Sequence, residues 1–218
     1  MDEKKIFIAV PCMDMVSARF AQSLSTLKKS GRCVVSFLIG SLIYDSRNRL
    51  AGMALEMEAD YVLWLDSDMV FPPDTLDRML KVMDEHPEVD VLSGLYFRRG
   101  APFTPVLFNK LDVGEDGNLQ FEDQKDLPDE LFEVAGCGFG CVLMRTEMLL
   151  DLAAAEGGGV WFTPLANAGE DCAFCIRARR NGYKVFCDPT IELGHMGYAP
   201  ITREFYRVMS EEASDGAN

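Results

Sequence analysis

Three short stretches of this 218-residue chain bring together side chains that could do chemistry. In Leu63-Trp64-Leu65-Asp66-Ser67-Asp68-Met69, two carboxylates follow a continuous apolar run. Residues i and i+2 of an extended segment point the same way, so Asp66 and Asp68 aim together from the end of a buried strand. Two such charges repel unless a cation lies between them, and hard carboxylate oxygens suit Mg2+ or Mn2+. Asp and Ser also end strands and cap helices for local reasons, and this segment alone leaves both readings open. Gly169-Glu170-Asp171 places two acids in a first helical turn. There they stabilise the helix by roughly 0.3–1 kcal/mol each, or one of them acts as a general base on a rigid support. His195, one of two histidines, has Gly194 and Gly197 beside it, which would let a ligand approach. A lone histidine is more often structural than a ligand, and His86, before Pro87, reads as surface.

Other residues are less specific. Cys137-x3-Cys141 and Cys172-x2-Cys175 match zinc spacing loosely, but they lie in apolar surroundings where thiols pack as small hydrophobes. Arg98 and Arg99 could reach phosphates or form a solvated surface pair. The run from Gly136 to Gly140 and the pair Trp161-Phe162 could shape an acceptor site or simply pack tightly.

The elements that must position these residues alternate in the first half. Residues 5–11, 34–39 and 61–65 are short apolar runs that read as buried strands. Between them, residues 16–30 read as a helix ended by Gly31, and Ser46 is expected to cap a helix from Arg47 to about Glu58. After Pro72-Pro73-Asp74, Leu76, Met79, Leu80 and Met83 form one helical stripe. This alternation predicts a parallel α/β sheet covered on both faces. In the second half, residues 89–97, 105–108, 141–144 and 184–187 read as strands. Residues 146–155 and 170–181 read as helices, the second closed by Gly182. Residues 112–129 read as a mobile loop or irregular hairpin, residues 202–212 as a last helix, and residues 213–218 as a flexible tail.

Composition narrows the partners. A net charge of -14 argues against nucleic acid or an anionic membrane as the main partner. A nucleotide needs only one local cationic cluster or a bound cation. Seven cysteines, scattered through apolar runs, suggest reduced thiols in a cytoplasmic protein. The longest apolar stretch, residues 33–44, is too short to span a bilayer, and the first residues do not read as a signal peptide. The length suits one domain.

Four blocks in order carry a resemblance: Ser46-Arg47-Asn48-Arg49-Leu50, then Leu65-Asp66-Ser67-Asp68, then residues 169–182 in the form GED-x-x-F-C-x-R-x-x-x-x-G, then Val185-Phe186-Cys187-Asp188-Pro189 leading to Gly194-His195. Together they resemble the GT-A glycosyltransferases, close to glycosyltransferase family 2 and its short bacterial and phage relatives. The resemblance implies a Rossmann-like, mostly parallel central sheet flanked by helices, with a smaller mixed-strand region on the acceptor side. One domain would cover residues 1–212, its nucleotide-binding half about 1–100 and its acceptor half about 101–212. The implied activity is metal-dependent transfer of a sugar from a UDP- or GDP-sugar to an acceptor hydroxyl. Asp68 would bind Mn2+ or Mg2+ directly, Asp66 would contact the ribose or the ion, and His195 would be a third ligand. Pro11, Asp14, Arg47, Asn48 and Ser67 would help hold the donor. Asp171, with Glu170 beside it, would take the acceptor's proton with inversion. One departure concerns the base: the turn Pro11-Cys12-Met13-Asp14-Met15 offers only Asp14 where many members carry a longer Asp-rich turn. A sugar nucleotidyltransferase should instead show a glycine-rich basic loop after the first strand, which Val10-Pro11-Cys12-Met13-Asp14 is not. A non-catalytic nucleotide-sugar-binding scaffold is the other alternative, though every candidate catalytic position holds a competent residue.

Overall fold

In the computed structural model, residues 3–197 are described. Strand β1 (Lys5–Cys12) is buried from Ile6 through Pro11, as a strand covered on both faces must be. Helix α1 (Ala18–Thr26) starts at Ser17, whose Oγ accepts the Phe20 N–H at 3.1 Å. Strand β2 (Arg32–Ile39), helix α2 (Ile43–Glu56), strand β3 (Tyr61–Leu65) and the short β4 (Met69–Val70) follow. Then come α3 (Thr75–Glu85) and β5 (Val91–Leu95). The second half adds β6 (Leu107–Val113), β7 (Leu119–Asp123), β8 (Phe132–Val134), β9 (Gly136–Cys137) and β10 (Cys141–Arg145). It ends with α4 (Glu147–Glu156), α5 (Glu170–Arg180), β11 (Val185–Glu192) and β12 (Gly194–His195).

The central sheet has the order β2-β1-β3-β10-β5-β11-β8. β1 runs parallel to both neighbours, and β5 runs parallel to β11. β10 is antiparallel to β3 and β5, and β8 is antiparallel to β11. One face of the sheet packs a cluster built on Trp64, Phe139, Phe162 and Phe174, and the other a cluster built on Ile8, Leu63, Leu76 and Met79. Alternate residues of β3 feed opposite clusters, so the strand is apolar throughout. A three-stranded sheet, β7-β6-β9, and a ribbon of β12 with β4 complete the fold. Among the described residues, no helix is long and apolar enough to cross a membrane.

Several expectations change. Ser46 does not cap α2, which begins at Ile43 after Leu42. Ser46 and Arg47 are both buried, at 2% exposure, so packing against the sheet rather than cap chemistry sets where the helix starts. Of the two forms read for residues 112–129, the irregular hairpin is the one present: β6 continues to Val113 and pairs with β7 through a register shift between Phe108 and Lys110. The strand read at 184–187 extends to Glu192. The helix expected at 202–212 and the tail at 213–218 lie outside the described residues.

Candidate functional site

β1 and β3 deliver their carboxyl ends to one edge of the sheet, the usual place for a ligand in an open α/β fold. There a cleft of about 770 Å³ opens. Of the donor, metal and base residues that the resemblance implies, Pro11, Arg47, Asp66, Ser67, Asp68, Glu170, Asp171 and His195 line it, and Asp14 and Asn48 do not. Asp14 sits in an exposed loop. Asn48 is turned away as a brace: its Oδ1 accepts the Phe162 N–H at 2.8 Å, and its Nδ2 donates to Thr163 Oγ1 at 3.1 Å.

The acids are held by local turns. The Asp66 N–H donates to the Gly140 carbonyl at 2.9 Å, and the Met69 N–H returns to the Asp66 carbonyl at 3.0 Å. This turn leads into β4, which pairs with β12 so that His195 lies opposite Met69. The pairing brings His195 Nε2 to 3.5 Å from Asp68 Oδ2. His195 Nδ1 lies 2.9 Å from the Phe97 carbonyl. A carbonyl only accepts, so Nδ1 carries a proton, and Nε2 hydrogen-bonds Asp68 Oδ2 as a donor when the ring is protonated. Arg99 Nη1 donates to the same Asp68 Oδ2 at 2.8 Å. Burial pushes the Asp68 carboxyl up, but the hydrogen bond and charge of His195, together with Arg99, outweigh it and hold it below its usual value. In turn the Asp68 hydrogen bond raises the His195 imidazole, against the opposing effect of burial.

Asp66 has a different partner. Arg47, from α2, donates from Nη2 to Asp66 Oδ1 at 2.8 Å and brings Nε to 3.4 Å from Glu170 Oε1. Its guanidinium lies 5.4 Å from the Phe139 ring, 5.7 Å from Trp64 and 5.9 Å from Phe162, a cation–π cage. Nη1 is buried with no hydrogen-bond partner and has these aromatic faces as its surroundings. Burial pushes the Asp66 carboxyl up and Arg47 draws it down, and with the charges of Asp68 and Glu170 adding to burial it stays above its ordinary value. Asp171, in the first turn of α5, accepts the Cys172 N–H on Oδ1 at 2.7 Å. Burial, then the charge of Glu170, raises its carboxyl above the ordinary value.

Among the described residues, no three His, Cys, Asp or Glu side chains converge as a ready metal cage. Asp66 Oδ1 is spent on Arg47. Asp68 and His195 are the donor pair that could take a divalent cation, since His195 Nδ1 is fixed by a carbonyl and Nε2 faces Asp68 Oδ2, where the cation would replace the hydrogen bond that Oδ2 accepts from Arg99. Cys137, Cys172 and Cys175 are buried in the first apolar cluster and Cys141 in the second, where thiols pack as small hydrophobes.

The sequence reading missed Tyr96 as a cleft residue, left Arg99 as either a phosphate contact or a surface pair, and left the run from Gly136 to Gly140, whose Phe139 lines the cleft, as either an acceptor wall or tight packing. The signal for Tyr96 was its place just past the carboxyl end of β5. Trp161 does not line the cleft: it is 7% exposed and donates from Nε1 to the Leu149 carbonyl at 2.7 Å. Phe162 stacks on Phe174 with ring centres 4.6 Å apart.

Comparison with known proteins gives a family and a fold. A family profile described as "Glycosyl transferase family 2" matches residues 43–152, half of the chain. Among solved structures, the crystal structure of A197 from STIV superposes with a TM-score of 0.59 at 19% identity, covering 92% of this chain and 97% of that one. At that identity the likeness carries the fold, a GT-A, Rossmann-like α/β arrangement. No curated protein matches the sequence.

Proposed function

The chain belongs to glycosyl transferase family 2 and is a glycosyltransferase; from that premise we propose that it moves a sugar from a UDP- or GDP-sugar to an acceptor hydroxyl, with a divalent metal and inversion at the anomeric carbon. The observation that carries this reading is that Asp66, Asp68, His195, Glu170 and Asp171, from three separate parts of the chain, line one cleft at the carboxyl ends of β1 and β3. Asp68 and His195 are the residues that would hold Mn2+ or Mg2+, with Asp66 beside them toward the ribose. When bound, the ion supplies positive charge against the diphosphate leaving group.

The chain's own residues account for the rest. Arg47 engages Glu170, which leaves Asp171 as the neighbouring acid without an ion pair of its own among the described residues. Its raised carboxyl is a stronger base than an ordinary aspartate, which suits proton abstraction. As the acceptor oxygen bonds to the anomeric carbon, its proton passes to Asp171. The bond from that carbon to the diphosphate oxygen breaks on the opposite face. Pro11 and Ser67 line the donor end of the cleft. The buried, unpaired cysteines support a reducing, cytoplasmic setting.

The test is calorimetric titration of UDP, GDP and their sugar conjugates, with and without Mn2+, on wild type and Asp68→Ala. Metal-dependent binding of one nucleotide, lost in the variant, is expected. No binding of any nucleotide in the presence of metal would overturn the donor reading. Binding without transfer to any acceptor or water would point instead to a scaffold. Retention in the product would remove Asp171 from the base role.

A further inference from the structure

The glycines of Gly136-Cys137-Gly138-Phe139-Gly140 make room for one side chain in particular. A Cβ on Gly138 would collide with the Tyr96 Oη, and one on Gly140 would come within 2.8 Å of Tyr96 Cζ. Between them the Tyr96 ring is locked, and its remaining edge meets the His195 ring at a centre distance of 5.5 Å and an angle of 83°. Tyr96 is 4% exposed and lines the cleft. Its Oη accepts the Gly140 N–H at 3.0 Å, and among the described residues no group accepts its own proton. A phenol carries one donor as well as its acceptor lone pairs, so that donor is available to a ligand. The cationic groups of the cleft are already committed: Arg47 to Asp66 and Glu170, Arg99 and His195 to Asp68.

We propose that Tyr96 is a specificity-determining residue whose hydroxyl donates to a hydroxyl oxygen of the transferred sugar. A phenol is neutral at pH 7 and therefore a donor, and the carboxylates of Asp66 and Asp171 line the same cleft. The negative field of these carboxylates also decides the ligand group. Diphosphate oxygens are acceptors only and are repelled there. A sugar hydroxyl can accept from Tyr96 and donate to a carboxylate in the same place. The inference rests on the donor-site reading above.

The experiment compares UDP with UDP-glucose, and GDP with GDP-mannose, by calorimetry in the presence of Mn2+ on wild type and Tyr96→Phe. The expected result is unchanged affinity for the bare nucleoside diphosphate and about tenfold weaker binding of its sugar conjugate. Gly138→Ala keeps the phenol but displaces its oxygen, and should give the same selective loss; it serves if Tyr96→Phe does not fold. Equal sugar-nucleotide affinity in wild type and variant overturns the Tyr96 assignment and leaves the donor reading standing. Equal weakening of both ligands also overturns it, because that is the pattern of a merely structural phenol. Wild type that binds none of the four ligands overturns both readings.

Discussion

Arg47→Met is the sharpest test of how the acids are held. The guanidinium sits at 2% exposure, bridges Asp66 and Glu170, and is surrounded by three aromatic rings. Methionine restores most of the apolar contact with those rings but removes the charge. Breaking a buried ion pair from one side costs about 3–5 kcal/mol, because the abandoned charge stays buried. Here the acids keep some access to the cleft, with side-chain exposures of 31% for Asp66 and 18% for Glu170. The expected loss is therefore at the lower end, about 3 kcal/mol at neutral pH.

The pH dependence gives a second readout. Asp66 is already raised in the wild type, chiefly by burial, and losing Arg47 raises it further. An acid whose folded value exceeds its unfolded one, about 3.9 for Asp, opposes folding when ionised. That penalty is complete at neutral pH, shrinks as pH falls through the raised folded value, and vanishes below the unfolded one. Urea unfolding of both proteins without nucleotide at pH 7.5 and pH 5 should show a difference that narrows in acid. A difference below about 1 kcal/mol, or one the same at both pH values, would refute the argument that Arg47 neutralises these carboxylates.

Other outcomes follow from the same geometry. Asp171→Asn should lower kcat by about 10²–10⁴ while leaving the donor Kd nearly unchanged, measured by single-turnover transfer and calorimetry. In the wild type the base must be ionised, so kcat should fall as pH drops through an Asp171 value raised above 3.8 by burial and by Glu170. An acidic limb at or below the ordinary aspartate value would contradict this. Trp161→Ala should cost about 3–5 kcal/mol in chemical denaturation, as a buried aromatic truncation, and should change donor and acceptor KM alike. A selective rise in acceptor KM would return Trp161 to the acceptor site.

Much of the site was legible because it is built from local signals. The apolar run Tyr61–Leu65 had to be a doubly covered strand, so Asp66 and Asp68 had to emerge at its carboxyl end. Gly169-Glu170-Asp171 had to open a helix, because Gly182 and three arginines mark its far end. Asn48 was misplaced for a physical reason. It lies next to Arg47, but neighbouring helix positions are about 100° apart, and only tertiary packing decides which one faces the cleft. Ser46 failed as a cap for a similar reason, since burial against the sheet outweighs capping chemistry.

The sequence by itself determined the element types, the carboxylates, and a family resemblance that the match over residues 43–152 bears out. Only the tertiary structure decided the partners. β10 inserts antiparallel between β3 and β5, an adjacency that no local periodicity encodes. Arg47 meets Glu170 across 123 residues, and His195 meets the Phe97 carbonyl across 98. Tyr96 becomes a cleft residue because glycines more than forty positions later leave it space. Periodicity reports which face of an element is apolar. The choice of which buried faces meet belongs to the whole chain, and so do the pairings of charges and hydrogen bonds in the cleft.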